Sequence, residues 1–164
     1  MRTLKAGHAA PSFNLKATDG SQYSSREALA RGPLLIAFFK VSCPTCQYAF
    51  PFIERIFQQL RKRGVQIWSI SQDNARDSQG FAKAYGITFP VLIDEHPYEI
   101  SDSFGIKYVP TLFLINSQGK IELVTDGFAK ADFLAIQKWF GQHLSASPPP
   151  LFLPSERVPE FKPG

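Results

Sequence analysis

The sequence predicts an α/β fold in which helices flank a central mixed sheet. Segments with strand and helix patterns alternate through the middle of the chain, which is the order that produces parallel strand pairing. One of these segments, Leu34–Phe39, is apolar at every position, as is typical of a strand covered on both faces. Further along, the turn residues 116–119 separate two strand patterns and predict an antiparallel hairpin. The sheet is therefore expected to contain both parallel and antiparallel pairs.

Local signals place the individual elements. Ser24 or Ser25 caps the first helix, since a short hydroxyl side chain satisfies free N–H groups at a helix start. Apolar residues recur at helical spacing after Pro44 and mark the longest helix, which contains Pro51 and ends at Gly64. The predicted strands lie at 12–16 and 22–23, which form an N-terminal β-hairpin extension, and at 34–39, 65–71, 89–93, 112–115 and 120–125. The predicted helices lie at 26–30, 44–63, 78–85, 98–104 and 131–144.

Composition predicts one domain without a large charged face. With 164 residues, 44% of them hydrophobic, the chain has apolar material for one core, which we assign to residues 1–144. Its 18 basic and 14 acidic side chains are scattered, apart from Arg61–Arg63 at the end of a predicted helix, where cations offset the helix dipole. A nucleic-acid partner requires a larger basic face and is not expected. We expect the protein to be a monomer.

The sequence leaves the cellular compartment open. No run approaches the ~18 apolar residues of a membrane span, and residues 1–12 lack the apolar core of a secretory signal. The lack of a signal favours the cytoplasm, whereas removal of a preceding signal or anchor would place the protein outside it. Thiol chemistry of the kind described below operates in both kinds of compartment.

Residues 145–164 differ in kind from the rest of the chain. Six of these twenty residues are proline, and Pro148–Pro150 favours an extended polyproline conformation over a packed element. We predict a proline-rich tail, and disorder is the favoured interpretation of it. The alternative is that the tail lies against the domain through its apolar residues, which are unusual in a solvated segment. Those residues are Leu151, Phe152, Leu153 and Phe161.

The two cysteines of the chain, Cys43 and Cys46, lie where the apolar strand meets the long helix. Free N–H groups at a helix start favour an anion, and the thiolate is the reactive form of cysteine. Cys43 precedes the first turn and is predicted to be the exposed nucleophile, while Cys46 is predicted to be a more buried resolving thiol. Attack by Cys43 on a disulfide would give a mixed disulfide, which Cys46 would resolve.

Neighbouring residues are candidates for tuning this dithiol. Pro44 supplies the backbone angle preferred at a helix start, and with Thr45 it separates the two thiols. Lys40 would favour the thiolate if its side chain points toward it. A structural zinc site needs four ligands, so no metal or other cofactor is expected. A copper-handling role for the two thiolates with His96 is an alternative, although a surface position for this histidine is favoured.

Several separated motifs then occur in one order along residues 7–144. They are Gly7–Leu15, Phe38–Cys46, Phe50-Pro51, Val109–Asn116 and Gly119–Ile121. In these motifs the chain resembles the thioredoxin superfamily. The resemblance is to its redoxin branch, which contains TlpA/ResA-like thiol-disulfide oxidoreductases and their AhpC/TSA peroxiredoxin relatives.

The resemblance implies a thioredoxin-like fold and adds further site residues. Val109-Pro110 matches the cis-proline site of the family, whose loop lies opposite the dithiol, so Val109, Pro110 and Thr111 are expected to accept the substrate backbone. The strand and helix over 65–85 match the insertion typical of this branch. The implied partners are protein thiol or disulfide substrates and an upstream electron donor or acceptor.

The chain also departs from its relatives. Ser42 stands where thioredoxins carry tryptophan, and Ala37 and Ala49 stand where relatives carry a buried acid that assists proton transfer at the resolving cysteine. Ile36 and Lys40 replace the proline and threonine of the peroxiredoxin motif. Thiol-disulfide exchange is therefore the favoured function. A thiol peroxidase is the alternative enzyme, and a non-enzymatic copper-handling module is the second alternative.

Overall fold

Nearly all of the predicted elements are present, in the predicted order, in the computed structural model, which describes residues 2–164. The strands of the main sheet and its N-terminal extension are β1 (Asn14–Lys16), β2 (Gln22–Ser24), β3 (Leu34–Phe39), β4 (Ile67–Ser71), β5 (Val91–Ile93), β6 (Thr111–Ile115) and β7 (Ile121–Asp126). Two short strands, β8 (Phe128–Ala129) and β9 (Phe161–Lys162), follow. The helices are α1 (Ser25–Arg31), α2 (Pro44–Leu60), α3 (Ala75–Tyr85), α4 (Glu99–Phe104) and α5 (Lys130–His143).

The central sheet is mixed, and its five strands lie in the order β5-β4-β3-β6-β7. β3 pairs in parallel with β4, and β4 in parallel with β5. On the other side β3 pairs antiparallel with β6, which forms the predicted hairpin with β7. The predicted α/β class, with a mixed sheet flanked by helices, is confirmed.

The apolar run of β3 is buried because helices cover both faces of the sheet. All six of its residues are at most 1% exposed. Leu35, Ala37 and Phe39 pack with α2, α3 and α5 on one face, in a cluster that includes Cys46. Leu34, Ile36 and Phe38 pack on the other face with α1, α4 and the β1–β2 hairpin. A side chain alternates between the two faces at each step, so each face requires its own apolar set.

Two helix ends differ from the prediction for local reasons. The long helix ends at Leu60, and residues 61–63 continue as a 3₁₀ turn before Gly64 at φ 84°. α3 begins three residues earlier than predicted, because the Asn74 side chain caps it by accepting the Asp77 N–H at 2.7 Å. Within residues 2–164, no helix combines the length and apolarity needed to cross a bilayer.

The proline-rich segment after residue 144 packs against the domain, so the favoured expectation of disorder is wrong. Leu151 is 1% exposed in the core beneath α2 and α5, and Phe152 packs edge-on to Phe52 at 5.0 Å. Leu153 and Phe161, also expected to pack, are 50% and 54% exposed. Ordering this segment costs conformational entropy, but proline already restricts the unfolded chain and lowers that cost. The buried apolar contacts then offset what remains of it. The domain boundary at residue 144 stays a prediction.

Candidate dithiol active site

Cys43 caps the helix that carries both thiols. It is the N-cap residue of α2, its side chain is half-buried, and its Sγ accepts the Cys46 N–H at 3.1 Å. Pro44 occupies the first helical turn, where backbone N–H groups have no partner within the helix, so the missing N–H of proline costs no hydrogen bond. The cap directs the Cys46 N–H and the N-terminal end of the helix at this sulfur. Both cysteines are free thiols, so the structure is of the reduced form.

Cys46 has a very different environment from Cys43. It is fully buried in the core cluster that contains Phe39 and Phe50. Burial, with a smaller contribution from the Cys43 side chain, raises the pKa of the Cys46 thiol far above its ordinary value of 9.0. Cys46 is therefore held as a neutral thiol behind the half-exposed Cys43.

The loop before β6 closes one side of the site. The Val109-Pro110 peptide is cis, as predicted, and the Cys43 thiol donates to the Val109 carbonyl at 3.4 Å. Strand pairing places this loop beside the dithiol, because Thr111 at the start of β6 lies opposite Phe38 at the end of β3. The structure thus brings together three predicted site residues: Cys43, Cys46 and Val109.

Two other predicted site residues in this loop face away from open solvent. Pro110 is buried, and its carbonyl accepts the Gly127 N–H at 2.8 Å. Thr111 is 2% exposed, and its hydroxyl donates to the Tyr108 carbonyl at 2.7 Å. The Thr111 side chain therefore stabilises the loop internally, which leaves the Val109 backbone as the part of the loop that faces the dithiol.

Lys40 and Thr45 occupy the outer surface of the site. The Lys40 side chain is exposed, and its backbone carbonyl accepts the Cys43 N–H at 3.2 Å. The Thr45 hydroxyl donates to the carbonyl of Pro163 at 2.6 Å, so a residue of the C-terminal segment lies against the first turn of α2. Nothing in the sequence pattern predicts this contact.

Asp73 and Gln47 shape the site, and the sequence interpretation missed both. The Asp73 carboxylate accepts the Val41 N–H at 2.7 Å, and the Gln47 side chain donates to the Val41 carbonyl at 3.0 Å. Together they fix the backbone that leads into Cys43. A topological signal for Asp73 existed, because it follows β4, the parallel neighbour of β3, and the carboxyl ends of parallel strands meet at one edge.

The two positions at which the resemblance predicts a buried acid near Cys46 carry alanine. Ala37 and Ala49 are both fully buried. The buried acid of α2 is Glu54, which lies eight residues beyond Cys46, about 12 Å along the helix. Its carboxylate is engaged elsewhere, since it accepts the Thr88 N–H at 2.7 Å and the Gln58 amide at 2.6 Å. The proton acceptor for Cys46 therefore does not come from the family position.

The part of the chain described, residues 2–164, contains no group of three or more His, Cys, Asp or Glu side chains placed to hold a metal ion. His96 is exposed, and its ring lies 5.5 Å from that of Tyr98. It lines a polar cleft beside the β1–β2 hairpin. The copper-handling alternative thus has only the two sulfur atoms as ligands.

Comparison with known proteins identifies relatives of this chain. The model of the AhpC/TSA family matches residues 6–124. Thiol-disulfide oxidoreductase ResA from Halalkalibacterium halodurans is 31% identical over 124 residues, which cover 75% of this chain and 69% of that protein. ResA from Bacillus subtilis is 28% identical over 126 residues, which cover 76% of this chain and 69% of that protein.

A solved structure shares the fold. The crystal structure of a thiol:disulfide interchange protein of the thioredoxin family from Chlorobium tepidum TLS superposes with a TM-score of 0.69. The two chains are 27% identical, and the match covers 85% of this chain and 98% of that one. The predicted thioredoxin-like fold is confirmed.

Proposed function

The chain belongs to the AhpC/TSA family, and from this membership and the geometry of the dithiol we propose that it is a thiol-disulfide oxidoreductase working through Cys43 and Cys46. One observation carries the proposal. A half-exposed thiol caps a helix, and a fully buried thiol lies three residues behind it. This asymmetry assigns attack on the substrate to Cys43 and resolution to Cys46.

The reaction transfers two electrons in two exchange steps. The Cys43 thiolate attacks one sulfur of the substrate disulfide, the substrate S–S bond breaks, and the other substrate sulfur leaves as a thiolate. That leaving thiolate is a base that can take the proton from Cys46. The Cys46 sulfur then attacks Cys43, the mixed disulfide breaks, and the second substrate thiolate leaves and is protonated by solvent. The substrate is reduced, and the Cys43–Cys46 disulfide is formed.

The raised pKa of Cys46 controls the second step. A neutral buried thiol does not attack the mixed disulfide before its proton has been removed. This allows the substrate to remain bound until its own leaving group accepts that proton. The reverse sequence would oxidise a protein dithiol with the same residues, so the direction depends on the reduction potential.

We assign substrate docking to the loop that contains Val109, Pro110 and Thr111 and to the helix start at Pro44 and Thr45. The Val109 carbonyl and the Cys43 sulfur lie 3.4 Å apart, so a peptide that binds this backbone would present its disulfide to the nucleophile. Tyr108, 59% exposed beside the loop, adds an apolar surface for such a peptide. The proposed substrates are protein disulfides, with a separate donor or acceptor to recycle the dithiol.

Matched serine variants test the assignment. Cys43→Ser is expected to lose all disulfide exchange, whereas Cys46→Ser is expected to accumulate a mixed disulfide with a protein substrate, detected by mass spectrometry. Each variant removes one thiol, so the contrast between them isolates the role of each sulfur. Full activity in Cys43→Ser would rule out the mechanism.

A second measurement separates exchange from peroxide reduction. Ile36 and Lys40 occupy the positions of the peroxiredoxin proline and threonine, so protein disulfides are expected to react faster than hydrogen peroxide. Rapid consumption of peroxide with untouched protein disulfides would favour the peroxidase. The reduction potential then gives the direction, since about −270 mV characterises a reductant and about −120 mV an oxidant.

A further inference from the structure

The last four residues of the chain lie across the front of the dithiol site. We refer to residues 161–164 as the strap. Strand β9 within the strap pairs antiparallel with β8, and the Pro163 carbonyl accepts the Thr45 hydroxyl at 2.6 Å. The Lys162 ammonium lies 5.0 Å from the centre of the Tyr48 ring. The strap thus spans from the edge of β8 to the first turn of α2, between the two cysteines.

The strap also reaches the residue that faces the nucleophile. A side-chain carbon at Gly164 would lie 2.5 Å from the Val109 oxygen, the same oxygen that accepts the Cys43 thiol. A side-chain carbon at Gly127 would lie 2.5 Å from the Lys162 oxygen. Both positions therefore exclude larger residues while the strap is in place. Gly164 and Pro163 thus lie against the Val109 backbone and the Thr45 hydroxyl, to which the proposed function assigns the substrate.

The forces that hold the strap are weaker than those that hold the segment before it. Upstream, Leu151 is buried in the core, and Arg55 makes two hydrogen bonds of 2.7 and 2.8 Å with the Glu156 carboxylate. In the strap, Phe161 is 54% exposed and the pairing covers only two residues of each strand. A strand pair this short is only marginally stable by itself. It forms here because the preceding residues hold β9 close to β8. The strap can therefore detach while residues before it stay docked.

We propose that the strap is an intramolecular competitor that occupies the substrate groove of the reduced enzyme and must detach before a polypeptide disulfide reaches Cys43. This inference rests on the proposed function, because it takes the Val109 loop and Thr45 as the docking surface. The rate with a polypeptide is then the intrinsic rate multiplied by the fraction of molecules with the strap detached. A small disulfide reaches the half-exposed Cys43 with the strap in place, so its rate is independent of that fraction.

Substitutions at Lys162 test the competition in the full chain. Lys162→Pro removes an N–H group from the β8–β9 ladder, and Lys162→Ala keeps the ladder but loses the contact with Tyr48. Insulin serves as the polypeptide disulfide and hydroxyethyl disulfide as the small one. Lys162→Pro is expected to raise the rate of insulin reduction about fivefold or more. The rate of Lys162→Ala is expected to lie between those of Lys162→Pro and the wild type. The rate with hydroxyethyl disulfide should change by less than about twofold.

Alkylation provides a readout that does not depend on exchange activity. A bulky maleimide should modify Cys43 faster in Lys162→Pro than in Lys162→Ala, and faster in both than in the wild type. Thermal unfolding of the three proteins should coincide, because Lys162 lies outside the core clusters. A lowered unfolding temperature in Lys162→Pro together with faster reactions of both disulfides would indicate general loosening and would overturn the inference.

The outcomes distinguish failure of this inference from failure of the proposed function. If an active enzyme reacts with insulin and maleimide at equal rates in all three forms, the strap does not compete, and the exchange activity stands. If none of the three forms exchanges with either disulfide, the proposed function fails. Faster alkylation of Cys43 in Lys162→Pro would then still support coverage of Cys43 by the strap, and equal alkylation would overturn it.

Discussion

The two sides of the dithiol differ in how firmly the protein holds them. Behind it, Cys46 packs in a core where Phe39 and Phe50 are fully buried, with their rings 4.6 Å apart. In front of it, the strap makes one hydrogen bond to Thr45, and its Phe161 is mostly exposed. The rear contacts contribute to the stability of the whole domain, whereas the front contacts can be exchanged for those of a substrate. The site thus combines a fixed, buried thiol with a cover that, in the proposed competition, a substrate replaces.

The largest expected effect lies behind the dithiol. Phe50→Ala should lower the free energy of unfolding by about 3–5 kcal/mol, because it removes a buried ring that contacts Phe39 and Phe81 and leaves a cavity. Phe161→Ala is the matched control in the strap and should cost less than about 0.5 kcal/mol. Urea denaturation measures both values. Equal losses of stability in the two variants would show that the core behind the dithiol and the strap in front of it are held equally firmly.

Glu54 gives the next largest effect. The residue is 8% exposed, and its carboxylate accepts hydrogen bonds from the Thr88 backbone, the Thr88 hydroxyl and Gln58. Glu54→Ala leaves these donors without their acceptor and should cost about 1–3 kcal/mol in urea denaturation. Glu122→Ala, on the exposed surface of β7, is the control and should cost less than about 1 kcal/mol. A cost for Glu54→Ala no greater than that of the control would show that this buried network does not stabilise α2.

The pH dependence of stability probes the buried thiol directly. Burial raises the pKa of Cys46 above its ordinary value of 9.0, so above that pH the unfolded chain releases a proton that the folded chain retains. The stabilisation is complete below about pH 9 and declines as the pH rises, by up to about 1.4 kcal/mol per pH unit. Under reducing conditions, the difference in the free energy of unfolding between wild type and Cys46→Ala should therefore decrease by up to this amount for each pH unit above about 9. A difference that stays constant from neutral pH to about pH 10 would contradict a buried neutral Cys46.

The smallest effect concerns the attachment of the C-terminal segment. Hydrogen bonding to Arg55 lowers the pKa of Glu156 from 4.5 to about 2, so its contribution is present above about pH 4.5 and is lost as the pH falls toward about 2. The two side chains are 33% and 25% exposed, and solvent screening limits the pair to about 1 kcal/mol. Glu156→Gln should therefore cost at most about this amount at neutral pH and only a small part of it at about pH 2. A cost that is the same at both pH values would exclude the ion pair as its source.

Sequence patterns predicted the elements with strong local signals. The apolar run of β3 and the helical periodicity of α2 are local, and the Cys43-to-Cys46 spacing places both thiols at the helix start. The cis peptide at Val109-Pro110 was predicted from family motifs, since spacing alone favours trans at an arbitrary proline. The start of α3 was predicted three residues too late, because the helix was placed at 78–85 without its cap at Asn74.

Contacts between distant segments could not be predicted in the same way. Asp73, in the loop after β4, binds the Val41 backbone, and Glu54 of α2 binds Thr88 in the loop between α3 and β5. The C-terminal segment is the clearest case, because its proline content favours disorder while Leu151 and Phe152 pack into a surface that exists only after the domain folds. Composition describes the chain before folding and contains no information about that surface.

The sequence by itself determined the chemistry of this protein, namely a dithiol that a strand delivers to a helix start. Only the tertiary structure decided how completely Cys46 is buried, that the carbonyl of Val109 is the group that faces Cys43, and that residues 161–164 lie across the front of the site. The physical reason is the range of the forces involved. Helix capping and periodicity act over a few residues, whereas burial and strand pairing join residues more than sixty positions apart, as between Cys43 and Val109.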